Sequence, residues 1–380
     1  MNELYSIISI FITSGLLLAY GLMFLFASVP ESPLLNNYRK ARYAMAFAYL
    51  FFLPVEIAEY LFRDSFGDSV ALLQTVTLAI AASQAFLFTW ALLALVEVRF
   101  SGWRTIFREA ALVLLFIIVV FTVYVFCSEA CFKIAFYLFT GLYALLLLRY
   151  TFLFLANYRR FRIRMDNYFS DYEAGRLHWV AFSFFAALSI GVMALLSALF
   201  MSTLMALLFT VVFDAFYIYF ALRFINYAHQ FRTIEPAIDS EPAETDELAE
   251  AEEPVVNNNT TTSYAPAIFA ALEKRMEQWI ASKQFTQKGI TIDMLAAQFF
   301  TNRNYLSSYI NTCKKQTFRD WINQLRIEEA KNLLLQYPER TVTEIASQVG
   351  FSDKTNFRRH FIRLTSLNPQ AWRNSQLRNL

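Results

Sequence analysis

The sequence predicts an all-α chain with an N-terminal seven-helix transmembrane bundle, a disordered acidic linker and a C-terminal all-helical domain containing two helix-turn-helix units. Three observations predict this organisation. Residues 1–230 carry seven long apolar runs, residues 233–266 are polar and acidic, and residues 292–373 repeat one helical pattern twice. The predicted domains are therefore residues 1–232, 233–266 and 267–380.

The apolar runs come first along the chain. The composition is 57% hydrophobic with 40 Phe, which is more apolar than an average soluble protein. Each run is long enough to cross a hydrocarbon core as a helix, and the sixth and seventh are separated only around residues 201–203. A cleaved signal peptide is not predicted, because the N-terminus is acidic at Glu3 and the first run is too long. The runs lie near residues 4–28, 43–62, 70–96, 110–127, 132–156, 179–200 and 203–225.

Basic residues between the runs are concentrated in alternate loops, and this pattern sets the expected orientation. The loops that alternate with these basic loops hold only Arg63 and Lys133. The positive-inside rule therefore predicts a multi-pass protein of a bacterial inner membrane, with the N-terminus outside and the C-terminal domain in the cytoplasm. The basic set is Arg39, Lys40, Arg42, Arg99, Arg104, Arg108, Arg159, Arg160, Arg162, Arg164, Arg223 and Arg232.

Residues 233–266 are expected to be a disordered linker. They contain four prolines and nine acidic residues with no base, and they lack apolar periodicity. The residues that follow have the opposite charge, since 267–380 hold 17 bases and 9 acids. A basic terminal domain fits a nucleic-acid partner, and an acidic run of this kind is typical of a solvated linker.

A helix, a tight turn and a second helix are predicted for residues 341–363. Thr341 and Glu344 form a capping box at the start of the first helix, and its apolar residues then recur at helical spacing. Gly350 ends that helix where a left-handed residue is needed. Ser352 or Asp353 then caps the second helix.

The second of these helices is the candidate recognition helix. It buries Phe357 and Phe361 and leaves a polar, cationic front, which suits a DNA major groove. An ordinary solvated face is the alternative interpretation of a single basic helix. The predicted front residues are Lys354, Thr355, Asn356, Arg358, Arg359 and Arg363.

The same pattern occurs about fifty residues earlier, which favours a duplicated unit over a solvated face. Leu306 and Ile310 occupy the positions of Phe357 and Phe361, and Thr301 or Asn302 is the expected cap. Residues 317–336 form the helix that joins the two copies. The predicted front of the earlier recognition helix consists of Arg303, Asn304, Ser307 and Ser308.

Residues from about 270 to 373 resemble the DNA-binding domain of the AraC/XylS family of bacterial transcription regulators. The resemblance implies that recognition helices at 302–311 and 353–363 enter successive major grooves of promoter DNA, about 34 Å apart. Lys315 and Ser366 stand where a glycine is common. Ser308 stands where the first recognition helix often has a basic residue, so the first unit is expected to contact DNA bases more weakly than the second. The resemblance is carried by Leu295-Ala296, the YLS of residues 305–307, LRIEEAKNLL of 325–334, EIASQVGFSDKTNFRRHF of 344–361, Pro369 and Trp372-Arg373.

Polar residues within the apolar runs define a candidate sensor pocket. Glu56 and Glu59 share one face of the second run, Gln74 lies in the third and Asp214 lies in the seventh. Ionisable groups at such depth are expensive and face a cavity or a partner. No Lys or Arg is expected within the central parts of the spans. The set is interpreted as a pocket for a small molecule or periplasmic signal. The alternative is that these groups pair structurally with Tyr or Ser hydroxyls or stay protonated.

Cys127 and Cys131 flank a short loop that is expected to face the periplasm. An oxidising compartment permits a disulfide there, whereas a helical i, i+4 spacing would strain it. A disulfide and two free thiols are therefore both left open.

Patterns that indicate an enzyme were not found. The three histidines, His178, His229 and His360, are far apart, and no metalloprotease, hydrolase or P-loop spacing is present. We therefore expect no catalytic residues, no metal site and no cofactor.

Together these predictions describe a membrane-integrated one-component transcription regulator that binds double-stranded promoter DNA. Membrane lipid, an unidentified signal and a second copy of the chain are its expected partners. One alternative is a regulator whose bundle is only a passive anchor. The other alternative is a transporter or ligand-binding membrane protein with a secondary DNA-binding domain. Against that alternative, the spans show neither an inverted repeat nor paired Gly/Pro interruptions.

Overall fold

The computed structural model describes residues 2–29, 35–61, 70–96, 103–171, 178–200, 203–238 and 264–378. The chain forms two compact units. The first contains Met1–Phe161 and Arg176–Asp239, and the second contains Arg162–Gly175 and Ser240–Leu380. Apart from one isolated β-bridge, the regular structure of the described residues is helical, so the predicted all-α class is confirmed.

Seven helices follow the seven predicted apolar runs. The sixth ends at Phe200 and the seventh begins at Thr203, so the predicted division between them is confirmed. The helices are α1 (Asn2–Phe26), α2 (Asn36–Leu61), α3 (Val70–Val96), α4 (Trp103–Phe126), α5 (Glu129–Tyr168), α6 (His178–Phe200) and α7 (Thr203–Ile238).

Two of these helices are longer than predicted. Helix α5 continues past residue 156, through the arginines expected in a loop, to Tyr168. Residues 157–168 contain neither Pro nor Gly, so nothing in the sequence stops the helix. Helix α7 continues to Ile238, beyond the predicted linker start at 233, and includes Pro236 in its last turn. The rest of the predicted linker, up to residue 263, lies outside the described residues.

Six of the described helices, α1 and α3 to α7, are long and apolar enough to cross a membrane. Helix α2 is not among them, although its length is sufficient. Its first half carries three basic residues, and Glu56 and Glu59 interrupt the apolar run in its second half. The prediction of seven apolar membrane-length runs is therefore met by six helices in the described part of the chain.

Large apolar side chains cover the outer faces of the first unit. Phe126 is 82% exposed, Ile134 76% and Phe152 72%. Water-soluble monomers rarely expose contiguous apolar surface of this kind, and a membrane or protein partner normally covers it.

Tyrosines hold the interior of the first unit together. The Tyr38 hydroxyl donates to the Phe224 carbonyl at 3.2 Å, and the Tyr49 hydroxyl donates to the Tyr217 carbonyl at 2.7 Å. Each bond joins α2 to α7. Buried tyrosine hydroxyls normally need such partners, so these contacts fix the relative position of the two helices.

An ion pair between α4 and α5 was not predicted. Both terminal nitrogens of Arg149 donate to the Glu109 carboxylate, at 2.6 and 2.7 Å, and Glu109 is almost completely buried. Arg149 lies inside the apolar run of residues 132–156. The expectation that the spans lack a basic residue is therefore wrong at this position.

The second unit is built around one central helix, α11, which is predicted correctly from Thr317 as its N-cap to Gln336 as its last residue. Trp279 of the preceding helix α8 stacks on Trp321 of α11 at 5.8 Å between ring centroids. The helices are α8 (Tyr264–Ala281), α9 (Ile292–Gln298), α10 (Arg303–Cys313), α11 (Phe318–Gln336), α12 (Val342–Gln348), α13 (Lys354–Thr365) and α14 (Pro369–Arg378).

Candidate nucleic-acid interface

Helices α12 and α13 form the second helix-turn-helix unit, as the capping pattern predicts. The Thr341 hydroxyl accepts from the Glu344 N–H at 3.2 Å, while the Glu344 carboxylate accepts from the Thr341 N–H at 2.8 Å. Gly350 follows α12 with φ of +98°, and a Cβ there would lie 2.4 Å from the Thr286 carbonyl oxygen. The turn therefore requires glycine for both its conformation and its close approach.

Asp353, rather than Ser352, caps the recognition helix α13. Its carboxylate accepts from two backbone N–H groups at 3.1 Å each. Phe357 and Phe361 are fully buried and anchor the helix to the core formed by α11 and α12. The exposed front residues of α13 are Lys354, Thr355, Arg358, Arg359 and Arg363.

The structure corrects the predicted front at Asn356, which is only 8% exposed. The buried face of α13 is wider than the stripe set by Phe357 and Phe361. It extends on one side to Asn356 and His360, which lie one turn apart on α13 and are both buried. Asn356 is therefore not presented on the surface with its neighbours Thr355 and Arg358.

At the far end of α13, part of the positive charge is neutralised within the unit. Arg363 donates to the Asp320 carboxylate of α11 at 2.6 Å. Burial opposes ionisation of Asp320, but the Arg363 guanidinium lowers the pKa of this carboxyl below its ordinary value. Lys354 and Arg358, near the start of the helix, are exposed, and neither forms an ion pair with a carboxylate among the described residues.

Helices α9 and α10 form the first unit, and Asn302, rather than Thr301, is the N-cap of α10. The Asn302 side chain accepts from the Tyr305 N–H at 2.8 Å. The turn residue Phe300 occupies the position of Gly350. It has φ of +50° and is 85% exposed. A bulky residue in this conformation is strained, so the turn is held by its surroundings.

The first recognition helix is less cationic than the second. Arg303 lies 3.7 Å from the Asp293 carboxylate, Ser307 and Ser308 are half-buried, and Asn304 is exposed. Tyr305 is also exposed on this helix and was not predicted as a site residue. That this unit contacts bases less strongly stays a prediction. Lys315 and Ser366, the two positions at which the resemblance leads us to expect glycine, both have positive φ, of +51° and +60°.

A segment that the sequence did not connect to this domain is also part of the second unit. We call residues 162–171, the last turns of α5 and the three residues after it, the α5 tail. Phe169 forms an antiparallel bridge with Thr291, and the Ser170 N–H donates to the Ile290 carbonyl at 3.0 Å. Because Thr291 is the N-cap of α9, the tail is bonded to the start of the first helix-turn-helix unit.

The Asp171 carboxylate of the α5 tail binds a fully buried arginine of α11. It accepts from Arg326 at 3.0 Å, and the same guanidinium donates to the carbonyls of Phe285 at 2.9 Å and Gln287 at 2.6 Å. Burial lowers the pKa of Arg326, and the Asp171 charge opposes that shift. A buried guanidinium requires such partners, because an unpaired charge in the interior is very costly.

The α5 tail also reaches the start of each recognition helix. The Tyr168 hydroxyl donates at 2.7 Å to Asp293, whose carboxylate faces Arg303 of α10. Asp171 accepts from the Ser352 hydroxyl at 2.9 Å, next to the N-cap of α13. A displacement of the tail would therefore disturb polar contacts at both helices.

The proposed sensor residues are described only in part. The Asp214 carboxylate accepts from the Thr13 hydroxyl, with oxygen–oxygen distances of 3.1 and 3.2 Å. Gln74 lines a small cavity of about 10 Å³ together with neighbours that include Phe136. The side chains of Glu56 and Glu59 lie outside the described residues. Asp214 thus has a hydroxyl partner of the kind that the structural alternative predicts.

The two cysteines of the predicted periplasmic loop are free thiols. Cys127 follows the end of α4, and Cys131 lies in the first turn of α5. Of the two arrangements left open by their spacing, the structure has the unbridged one.

Comparison with known proteins identifies the C-terminal region. A family described as a helix-turn-helix domain matches residues 295–375. The chain is 31% identical over 113 residues to the uncharacterized HTH-type transcriptional regulator YijO of Escherichia coli (strain K12). The matched region covers 30% of this chain and 38% of YijO. The chain is also 31% identical over 86 residues to YobQ of Bacillus subtilis (strain 168), covering 23% and 35% respectively.

A third relative is the HTH-type transcriptional regulator in the cgkA 5′ region of Pseudoalteromonas carrageenovora, 32% identical over 84 residues, or 22% of this chain and 49% of that protein. The chain thus spans at most about half the length of these curated relatives. No solved structure matches it. Residues 295–375 are therefore a helix-turn-helix domain of the kind carried by transcription regulators.

His360 gives the second unit a defined pH dependence. Its ring is 3% exposed and lies 3.4 Å from the Asn323 amide nitrogen and 3.1 Å from an Arg363 nitrogen. Burial, with a smaller effect from Arg363, lowers the pKa of His360 to about 4. The imidazole is therefore neutral at neutral pH, as a core residue rather than a phosphate ligand.

We predict that the second unit loses stability as the pH falls from about 6.5 towards 4. The unfolded chain binds a proton at His360 in that window and the folded chain does not, so the unfolding free energy falls by about 2 kcal/mol between pH 7 and pH 5. Urea-dependent pulse proteolysis of the full-length protein would measure it. His360→Gln should remove most of this slope, and an identical slope in both proteins would contradict the assignment.

Proposed function

We propose that the protein is a membrane-integrated, one-component transcription regulator whose C-terminal domain binds promoter DNA in the cytoplasm. The observation that carries this proposal is that the cationic front of α13 lies on a helix-turn-helix domain in the same chain as six membrane-length helices. The exposed apolar faces of α1, α4 and α5 support membrane insertion of the first unit. The names of the relatives support the regulatory role of the second.

In this proposal DNA affinity comes mainly from the second unit. Arg358 and Arg359 are exposed on α13 beside Lys354 and Thr355, and arginine can contact guanine edges in the major groove. Helix α10 offers Asn304 and the half-buried serines, with Arg303 held near Asp293, so it would add weaker contacts. Two such helices on one connecting helix fit successive grooves, and pairing of two chains would extend the DNA site.

The α5 tail supports a direct mechanical connection between signal and DNA binding. Helix α5 is continuous from Glu129 to Tyr168, and its last turns belong to the DNA-binding unit. A signal that shifts α5 between two positions would change the contacts of Tyr168 and Asp171. A ligand can act in this way only by binding the two positions with different affinity. Glu56, Glu59, Gln74 and Asp214 remain proposed sensor residues.

Replacement of Arg359 tests the DNA-binding part. Arg359→Ala should remove a base contact worth about 1–3 kcal/mol and relax sequence preference at one position. Selection from a random DNA library, followed by titration of the preferred sites, would measure both effects. Arg378→Ala, which removes an exposed charge from the last turn of α14, is the matched control.

The outcomes of this experiment are distinct. An equal loss on every sequence would mean that Arg359 contacts only phosphate. Unchanged affinity and preference would contradict the role of α13 as the recognition helix.

Fusion reporters test the membrane part of the proposal. A reporter enzyme that is active only in the periplasm should be active when fused after Lys133 and inactive when fused after Arg164. The reason is that basic segments stay on the cytoplasmic side, and Arg164 lies in the tail that contacts the DNA-binding unit. The opposite pattern would reject the proposed orientation, and inactivity at both sites would reject membrane insertion of this region.

A further inference from the structure

The first unit contains a cavity of about 200 Å³ whose described lining includes neither Gln74 nor Asp214. Helices α2, α3, α5, α6 and α7 contribute to its wall. None of the described residues that line it is charged, and most of the wall is apolar. The aromatic part of that wall includes Phe52, Phe88, Phe184, Phe209, Phe213 and Phe216.

Some polar groups at this cavity already have partners. The Gln84 amide nitrogen donates to the Ala48 carbonyl at 2.8 Å, and its oxygen accepts from the Tyr217 hydroxyl at 3.2 Å. These bonds join α3 to α2 and α7. The Gln84 amide and the Tyr217 hydroxyl therefore serve the structure of the bundle and do not need a ligand.

Two other polar groups in the wall lack a partner. The hydroxyls of Tyr143 and Tyr150 are buried, and neither has a hydrogen-bond partner among the described residues. Each tyrosine is only 1% exposed. They lie two turns apart on the same face of α5, with Leu147 between them, and all three line the cavity. A buried hydroxyl without a partner is costly, so two on one wall indicate that a bound molecule supplies the partners.

Gly191 of α6 provides the space for one of these hydroxyls. A Cβ at this position would lie 2.8 Å from the Tyr143 hydroxyl oxygen. That distance is too short for a side-chain carbon, so any larger residue would push the hydroxyl away. The glycine thus leaves room beside α6 for the Tyr143 hydroxyl, and Gly191 and Tyr143 both line the cavity.

We propose that this cavity binds a neutral, ring-containing molecule with one or two hydrogen-bond-accepting oxygens, held by the hydroxyls of Tyr143 and Tyr150. The aromatic wall suits a flat ring, and the absence of a charged group among the described lining residues disfavours an ion. The volume exceeds the roughly 150 Å³ of an apolar cavity that admits benzene, so a one- or two-ring molecule fits.

The proposed ligand would bind directly to the helix that ends in the α5 tail. Tyr143 and Tyr150 belong to α5, whose last residue is Tyr168. Occupancy would therefore favour one position of the helix whose end contacts the DNA-binding unit. This consequence rests on the proposed function, whereas binding itself does not depend on it.

The test uses the full-length protein in lipid nanodiscs and the bicyclic ketone 6-fluoro-1-tetralone, with the matched hydrocarbon 6-fluorotetralin. Fluorine NMR separates a saturable protein-bound signal from probe dissolved in lipid. Wild type should bind the ketone more tightly than the hydrocarbon, by about three- to tenfold for each hydrogen bond gained. The double variant Tyr143→Phe/Tyr150→Phe should bind both probes equally.

Two further variants keep the test specific. Tyr137→Phe removes a hydroxyl from a 68% exposed tyrosine on the same helix and should leave the preference for the ketone unchanged. Gly191→Ala should weaken ketone binding, because it displaces the Tyr143 hydroxyl. Absence of a saturable ketone signal in wild type, or an undiminished preference in the double variant, would overturn the proposal.

A promoter reporter separates this proposal from the proposed function. If the ketone binds as expected and promoter output does not respond to it, the site stands and its link to regulation fails. If Arg359→Ala instead leaves DNA affinity and sequence preference unchanged, the proposed function is contradicted, while the proposed binding site is unaffected.

Discussion

The buried guanidinium of Arg326 is the interaction on which the second unit depends. It has no exposed surface and three acceptors, two backbone carbonyls and the Asp171 carboxylate. Removing one partner of a buried charge typically costs about 3–5 kcal/mol, which is comparable to a large part of a domain's stability. The carbonyls come from the turn after α8, but the carboxylate comes from the α5 tail. A residue that follows a membrane-length helix therefore completes the core of the DNA-binding unit.

The same guanidinium also lies against the turn of the second helix-turn-helix. Its Nε is 3.0 Å from where a Cβ on Gly350 would be, and its carbon lies 5.7 Å from the centre of the Phe351 ring. Phe351 in turn packs on Phe357, the anchor of the recognition helix, at 5.2 Å. Contacts thus run without interruption from Asp171 through Arg326 to α13. This continuity gives the α5 tail a physical route to the DNA-binding surface.

The parts of the fold that could be predicted from sequence are those set by local interactions. The capping box of Thr341 and Glu344 and the cap at Thr317 each join residues three positions apart, so the sequence displays them directly. The phase of a helix is less well determined. Phe357 and Phe361 alone define a narrower buried stripe than the actual one, so the sequence predicts an exposed Asn356 although this residue is buried.

What the sequence could not predict are contacts between distant residues. The ion pairs Asp171–Arg326 and Glu109–Arg149 join residues that are far apart in sequence, and hydrophobic periodicity does not identify such partners. Arg149, which lies within an apolar run, was nevertheless a signal in the sequence that was not used. The same limit applies to Tyr143 and Tyr150. Their spacing places them on one helix face, but only the packing of five helices leaves both hydroxyls at one cavity without a partner among the described residues.

The central claim, that the α5 tail is part of the DNA-binding unit, is tested most directly by hydrogen exchange on the full-length protein in nanodiscs. The Ser170 N–H donates to Ile290, and the Gly289 N–H donates to Asp171 at 3.2 Å, so both amides should be protected. Asp171→Asn should speed their exchange by about tenfold or more, since Arg326 loses its counter-charge. Glu328→Gln, which alters an exposed ion pair on α11, should not. Fast exchange at both amides in wild type, or no change in Asp171→Asn, would contradict the account.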